Sequence, residues 1–368
     1  MNRRKFLESG ALASITALLA ERPGFPAAKT PDLPLRLNAN ENALGLSPLA
    51  RRAVNEGIKS ANRYPFLEAR ELSARLAALD DIPENCILLG NGSSEILRLT
   101  VQVMANQKPI ALTADPTYES IGQQFRAYNL SISRFPLRSD WSHDLSRMRE
   151  KAEESDKPVL VYICNPNNPT ATLTSSKELF SWIREASENC YFVVDEAYHH
   201  YVESSGYFSL LKEAPKRKNL LVVRTFSKIY AMAGLRLGYG VADPEMIERM
   251  RQLTRLNING LAITAASASL SDETFLQQSF VANKEGKKML IQVLDRLQVE
   301  HLESHTNFVM HRIKGDLDSY NKRMQSEGIY VGREFPPMNG FSRVSLGLPE
   351  EMAYFCEKLN MFRSKGWI

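Results

Sequence analysis

Five short runs of consecutive apolar residues recur between residues 87 and 223: Ile87-Leu88-Leu89, Ile110-Ala111-Leu112, Val159-Leu160-Val161-Tyr162-Ile163, Tyr191-Phe192-Val193-Val194 and Leu220-Leu221-Val222-Val223. Amphipathic stretches separate them, and Ser176 to Glu188 places apolar residues at helical spacing behind a Ser cap. Strands that are apolar on both faces and alternate with helices belong inside a mostly parallel sheet with right-handed crossovers. After about residue 264 the pattern changes to long helical stretches with a few alternating strands, Thr306 to Arg312 and Phe341 to Leu346 among them. The expected architecture is therefore α/β, with a large domain over 63–263 whose central sheet is flanked by helices. A smaller α+β domain follows over 264–368, and an N-terminal arm over 29–62 is expected to pack with it.

The first 28 residues follow a different rule. Arg3-Arg4-Lys5 precedes the mildly apolar stretch Ala11 to Ala20, and Pro23, Gly24 and Pro26 then end any helix. That stretch is too short for a hydrocarbon core needing about 20 residues, so no stable membrane span is expected. The anatomy is that of an export signal, and Arg3-Arg4 followed by Lys5-Phe6-Leu7 resembles the twin-arginine type. A periplasmic or exported protein is the expectation, with a cytoplasmic protein carrying an amphipathic N-terminal helix as the alternative. This segment also carries half the formal charge: of a total of +4, residues 1–28 supply +2. The remainder has no dense Lys/Arg stripe to neutralise phosphates, which argues against a nucleic-acid partner. With 43% hydrophobic and 24% charged residues, the 368-residue chain has ordinary globular composition. Cys86, Cys164, Cys190 and Cys356 form no C-x-x-C pair and read as buried free thiols. His301 and His305 stand at helical spacing outside any H-E-x-x-H motif, so no metal is expected.

Ligands of an open parallel sheet collect at the carboxyl ends of its strands, so the polar residues following the apolar runs carry the chemistry. One run ends in Asp195-Glu196-Ala197-Tyr198, a carboxylate at the edge of the core that also fits a helix cap or a Mg²⁺ ligand. Another ends in Arg224-Thr225-Phe226-Ser227-Lys228, bringing a hydroxyl and an amine together, and Gly234-Leu235-Arg236-Leu237-Gly238 adds a guanidinium and two glycines. Asn165-Pro166-Asn167-Asn168-Pro169-Thr170 presents amide side chains from a turn fixed by two X-Pro steps. Gly90-Asn91-Gly92-Ser93-Ser94-Glu95 opens a helix with unsatisfied N–H groups, either an anion site or a simple capped turn. An amine, a carboxylate for a protonated ring nitrogen and a phosphate cradle together match the needs of pyridoxal phosphate.

With these residues in place, the chain resembles the class I/II, fold-type-I aminotransferases, and within them the histidinol-phosphate aminotransferase group. The strings that carry the resemblance run in family order: L-N-A-N-E-N at 37–42, N-R-Y-P at 62–65, G-N-G-S-S-E at 90–95 and D-P-T-Y at 115–118. They continue with C-N-P-N-N-P-T at 164–170, D-E-A-Y at 195–198, R-T-F-S-K at 224–228, G-L-R-L-G-Y at 234–239 and T-N-F-V at 306–309. The resemblance implies a transaminase acting between an amino donor and a 2-oxo acid, with pyridoxal 5'-phosphate held by Lys228 as a Schiff base. It further implies that Asp195 faces the pyridine nitrogen, Asn168 and Tyr198 bind the ring hydroxylate, and Tyr118 stacks on the ring. Ser227, Arg236, Ser93 and Ser94 would hold the phosphate, and Tyr64 would reach in from the partner of a homodimer. Arg343 matches the arginine for the anionic end of the substrate, with Arg333 as a second candidate and Asn40 beside the substrate.

Two positions depart from the family pattern. Ala43-Leu44 stand where the family usually has Pro-Tyr, which removes a contact to a substrate phosphate, and Ala171 replaces a common Gly, tolerable if the position does not need positive φ. Two further readings share the motifs: a decarboxylase of the threonine-phosphate type, and a non-catalytic binding protein on the same fold. A nicotinamide site is excluded because no G-x-G-x-x-G follows an early strand.

Overall fold

The computed structural model describes residues 32–254 and 258–368. The five apolar runs form β2 (Ile87–Gly90), β3 (Ile110–Asp115), β5 (Val159–Cys164), β6 (Cys190–Asp195) and β7 (Leu220–Thr225). Two strands without an apolar run complete the sheet, β4 (Ser131–Pro136) and β8 (Gly238–Val241), giving the order β2-β8-β7-β6-β5-β3-β4. Pairing is parallel from β7 to β4, whereas β8 runs antiparallel to both β7 and β2. β4 escapes a search for apolar runs because it is an edge strand, whose sequence Ser-Ile-Ser-Arg-Phe-Pro alternates and stays partly exposed. β8 escapes it because Gly238 and Gly240 leave little apolar side chain to see. Glycine is required at Gly238: a Cβ there would collide with the backbone nitrogen of Ser93.

Period-two alternation divides each central strand between two cores. Val159, Val161 and Ile163 of β5 face one layer while Leu160, Tyr162 and Cys164 face the other, and Phe192 and Val194 are likewise opposed to Tyr191 and Val193. Helices α3 (Ser93–Met104), α4 (Ser120–Ala127) and α7 (Pro244–Gln252) cover the second face. The first is covered by α1 (Pro48–Gly57), α2 (Phe66–Asp80), α5 (Leu145–Glu153), α6 (Ser176–Glu185) and α8 (Gly260–Ser269). Local sequence sets the helix starts: Ser47-Pro48 and Asp243-Pro244 each pair a side-chain cap with a proline in the first turn. In α6 the cap is Ser175, and the helix ends at Glu185 because Ala186 turns to extended backbone on the way into β6.

A further core gathers around α9 (Glu273–Arg296), α10 (Leu317–Ser326) and α11 (Pro349–Ser364), with the antiparallel pair β9 (Phe308–Arg312) and β11 (Phe341–Ser345). The arm expected to pack here does so only at its start: β1 (Leu35–Arg36) pairs parallel with β10 (Ile329–Tyr330), and Leu35 and Leu37 enter this core. Farther along, α1 packs against α8, burying Ala50 in the sheet's core. The boundary expected at residue 264 falls inside α8, whose Ala265 and Ala266 remain in that same core. The change of domain takes place along α9, about 36 Å long at 1.5 Å per residue, with Leu276 and Phe280 against one core and Leu290 and Leu294 in the other. His301 and His305 do not share a helix face, since both lie in the chain between α9 and β9. Cys86, Cys164, Cys190 and Cys356 are buried and free. Among the described residues no helix is long and apolar enough to cross a membrane. The twin-arginine-like segment lies outside the described residues.

Candidate active site

The carboxyl ends of the parallel strands open into a cavity of about 560 Å³ that extends to β11 and the segment before it. Asn40, Ser93, Ser94, Tyr118, Asn168, Asp195, Tyr198, Ser227, Lys228, Arg236, Arg333 and Arg343 all line it. These residues are scattered over three hundred positions of sequence and meet because strand ends, arm and β11 converge here. Tyr64 is the exception, being 78% exposed and stacked on Phe66 away from the cavity.

The floor is made by β6 and β7. Asp195, the last residue of β6, is buried, accepting hydrogen bonds from the Tyr162 hydroxyl at 3.0 Å and the Ala197 N–H at 3.1 Å. Burial pushes its carboxyl up to about 6, against the opposing effect of those two hydrogen bonds. Lys228, three residues beyond β7, donates to the Asn40 carbonyl at 3.0 Å, with its amine 5.5 Å from the centre of the Tyr198 ring. Burial, and then the Arg343 charge, pull the amine down to about 8. The Tyr198 hydroxyl, raised by burial, accepts from Asn40 Nδ2 at 3.1 Å and from Asn168 Nδ2 at 3.5 Å.

One wall is suited to an anion. Gly92, at φ 76, precedes α3 without a side-chain cap, so the N–H groups at the start of that helix face the cavity beside Ser93 and Ser94. A Cβ on Gly92 would strike the guanidinium of Arg236, which is held by the Ala233 carbonyl at 2.9 Å and lies 3.5 Å from Ser227 Oγ. The Ser94 and Tyr118 hydroxyls are 3.4 Å apart across the mouth of this wall.

The facing wall belongs to β11. Arg343 donates to Asn168 Oδ1 at 2.7 Å and to the Asn38 carbonyl at 3.0 Å, with its guanidinium carbon 5.3 Å from the Phe308 ring and 4.5 Å from the Phe335 ring. Burial lowers it to about 10, and its Nε has no hydrogen-bond partner among the described residues. Arg333 lies at the rim, paired with Glu119 at 3.1 Å. Ala171, in the turn behind Asn168, adopts φ 69. The position therefore does take the left-handed backbone that favours glycine, at a cost of roughly 1 kcal/mol for a side chain.

The family profile "Aminotransferase class I and II" matches residues 34–359. The chain belongs to that family. This aminotransferase is 35% identical over 329 residues to histidinol-phosphate aminotransferase 2 of Hydrogenovibrio crunogenus, covering 88% of the chain and 87% of that protein. Its fold is similar to a crystal structure from Erwinia carotovora atroseptica assigned as a histidinol-phosphate aminotransferase, at a TM-score of 0.89 and 34% identity over 94% of this chain and 100% of that one. It also matches the histidinol-phosphate aminotransferase of Sinorhizobium meliloti in complex with pyridoxal 5'-phosphate, at a TM-score of 0.83 and 22% identity over 90% and 92% of the two chains. The protein is a pyridoxal-phosphate-dependent transaminase.

The cavity fits that cofactor on its own terms. A buried carboxylate raised toward neutrality has no ion-pair partner among the described residues, a half-buried amine faces the same space, and an uncapped helix start with Arg236 offers an anion site. Three contributors were not legible as site residues. Tyr162 sits inside an apolar run, and only the need of a buried tyrosine hydroxyl for a partner hints at its bond to Asp195. Thr225 Oγ1 donates to Ser227 Oγ at 2.9 Å and orients it. Glu119 follows Tyr118 with no motif to mark it.

The carboxyl of Asp195 yields a prediction for the cofactor-free protein. Its folded value lies above the ordinary 3.8, so the fold binds a proton more tightly than the unfolded chain does. Stability is thus lost as pH rises from about 4 to about 6. Asp195→Asn should make the cofactor-free protein more stable than the parent at about pH 8, by on the order of 2 kcal/mol, with the gain shrinking toward pH 4. Urea unfolding at several pH values checks this, and a variant less stable at every pH would contradict it.

Proposed function

We propose that this aminotransferase moves the amino group of an anionic donor, histidinol phosphate or an aromatic or other amino acid, to a 2-oxo acid such as 2-oxoglutarate. The observation that carries the reading is the half-buried Lys228 amine, lowered to about 8 by loss of water in one cavity with Asp195 and Arg343. An amine so lowered is partly neutral near pH 7, so it could take the proton from substrate Cα and deliver it to the C4′ carbon of the cofactor. Pyridoxal phosphate, when bound, supplies the electron sink that makes this proton acidic. Asp195 would hold the ring nitrogen protonated, Asn168 and Tyr198 would bind the ring hydroxylate, and Tyr118 would cover the ring face. Ser93, Ser94, Ser227 and Arg236 would hold the phosphate, while Arg343, with Arg333 and Asn40 nearby, would orient the anionic end of the substrate. Histidinol phosphate is a candidate through the resemblance to the histidinol-phosphate aminotransferase group, which the name of the Hydrogenovibrio crunogenus relative supports, and such aminotransferase names along most of the chain weigh against the decarboxylase.

A homodimer is part of this reading. Tyr64, Phe66 and Leu67 are exposed at 78%, 60% and 74%, a cluster of apolar side chains suited to burial against a second copy, into whose cavity Tyr64 would reach. Export through the twin-arginine-like residues Arg3 and Arg4 is its other part, with cytoplasmic residence as the alternative.

Three outcomes are expected. Lys228→Ala should lower turnover by roughly a thousandfold or more in an assay of amino transfer from a donor panel to 2-oxoglutarate. An undiminished rate would remove Lys228 from its role, and CO₂ release that needs no 2-oxo acid would favour the decarboxylase. Sedimentation of the full chain at micromolar concentration should give a dimer that Tyr64→Ala with Leu67→Glu weakens, whereas a monomeric parent would refute the shared site. Replacing Arg3 and Arg4 by Lys should block export in cell fractionation, and unchanged delivery would rule out the twin-arginine route.

A further inference from the structure

Glu119 stands at the mouth of the cavity. It immediately precedes α4, and its side chain makes no capping hydrogen bond there. It reaches instead across the cavity mouth to Arg333, 214 residues away in sequence, at 3.1 Å. Arg333 is thereby engaged on two sides, since its Nη1 donates to the Glu334 carbonyl at 2.7 Å, and its guanidinium lies over the Phe335 ring. Both residues line the cavity, as does a second carboxylate, Glu41.

The charge balance around the substrate's end follows. With Arg236 at the wall suited to an anion, the arginines left for the substrate are Arg333 and Arg343, and two carboxylates, Glu41 and Glu119, stand in the same space. Arg333 is already paired with a carboxylate, which leaves Arg343, whose Nε is unpartnered, as the guanidinium of this wall with no carboxylate attached among the described residues. One free guanidinium matches a terminal group of single charge, such as one carboxylate, whatever charge the ligand carries at its other end. A phosphate monoester, whose second ionisation lies near pH 6, carries nearly two charges at neutral pH and would set the second beside Glu119. To recruit Arg333 it must first break the pair to Glu119, and repulsion from Glu119 acts in the same direction.

We propose that Glu119 is a specificity-determining residue that makes this site select substrates ending in a carboxylate over substrates ending in a phosphate dianion. The proposal rests on the aminotransferase reading and narrows its donor to amino acids. Because the repulsion scales with ligand charge, removing Glu119 should help a dianion by about the square of the factor by which it helps a monoanion.

The experiment uses the cofactor-loaded full chain and the variant Glu119→Gln. Phenyl phosphate and 3-phenylpropionate, which carry no amine to react, are titrated by their displacement of the cofactor's visible absorption band, and kcat/KM is measured for histidinol phosphate and phenylalanine. The parent should bind the carboxylate more tightly and prefer phenylalanine. In Glu119→Gln the phosphate probe should tighten roughly tenfold and the carboxylate probe roughly threefold, with the donor preference moving toward histidinol phosphate by a similar ratio. Equal tightening of both probes, or weaker phosphate binding in the variant, would overturn the proposal, the latter by showing that Glu119 serves to position Arg333. A parent that already prefers histidinol phosphate overturns it while leaving transamination intact. A parent that turns over no donor and whose cofactor band does not change with any amine instead defeats the aminotransferase reading, and the two inert probes still report on Glu119.

Discussion

Burial of two opposite charges without a direct bond between them governs this structure. Asp195 and Lys228 occupy the ends of adjacent parallel strands, each displaced from its ordinary ionisation by loss of water. A protein interior holds such groups only where surrounding donors and acceptors supply partial compensation. Here Tyr162 and the Ala197 N–H serve the carboxylate, and the Asn40 carbonyl serves the amine. The compensation is incomplete, and the deficit is what makes the floor of the cavity complementary to a ligand carrying its own cationic ring nitrogen and an electrophilic carbon.

Rigidity around that floor comes from the sheet. Six residues of β5 and six of β6 are all buried, and each packs into both layers, so neither strand can slide without exposing a complete face. Behind the floor, Arg224 donates to Glu196 Oε2 through Nε at 3.1 Å and Nη2 at 3.0 Å, and burial does not prevent its guanidinium from staying strongly charged. That pair ties the residue after Asp195 to the carboxyl end of β7, and so helps to fix the spacing between the carboxylate and the amine.

The wall facing the start of α3 is built from different material. Its arginines come from β11 and the segment before it, beside the core around α9, α10 and α11, while Asn168 and Glu119 belong to the segments that follow β5 and β3. Arg343 is bound to Asn168 and to the arm at Asn38, so the binding wall depends on how the two cores and the arm sit together. Arg333 and Glu119 make an exposed contact, which is worth little to stability and is therefore free to be tuned for selection.

Much of the site was legible in the sequence because it lies where apolar runs stop. Asp195, Ser227, Lys228 and Asn168 follow β-strands whose burial is evident from composition alone, and a parallel sheet necessarily brings such ends to one side. Tertiary structure decided what lacks a local signal. β4 and β8 show no apolar run because one is an edge strand and the other is half glycine, and the arm and α8 divide between cores according to packing that no periodicity encodes. The partner of the Tyr162 hydroxyl and the reach of Glu119 to Arg333 are likewise set by distances across the fold. A sequence fixes which side chains are apolar, charged or able to cap, through local chemistry; which of them meet depends on how whole layers pack, and that packing alone decided the charge left free to bind a substrate.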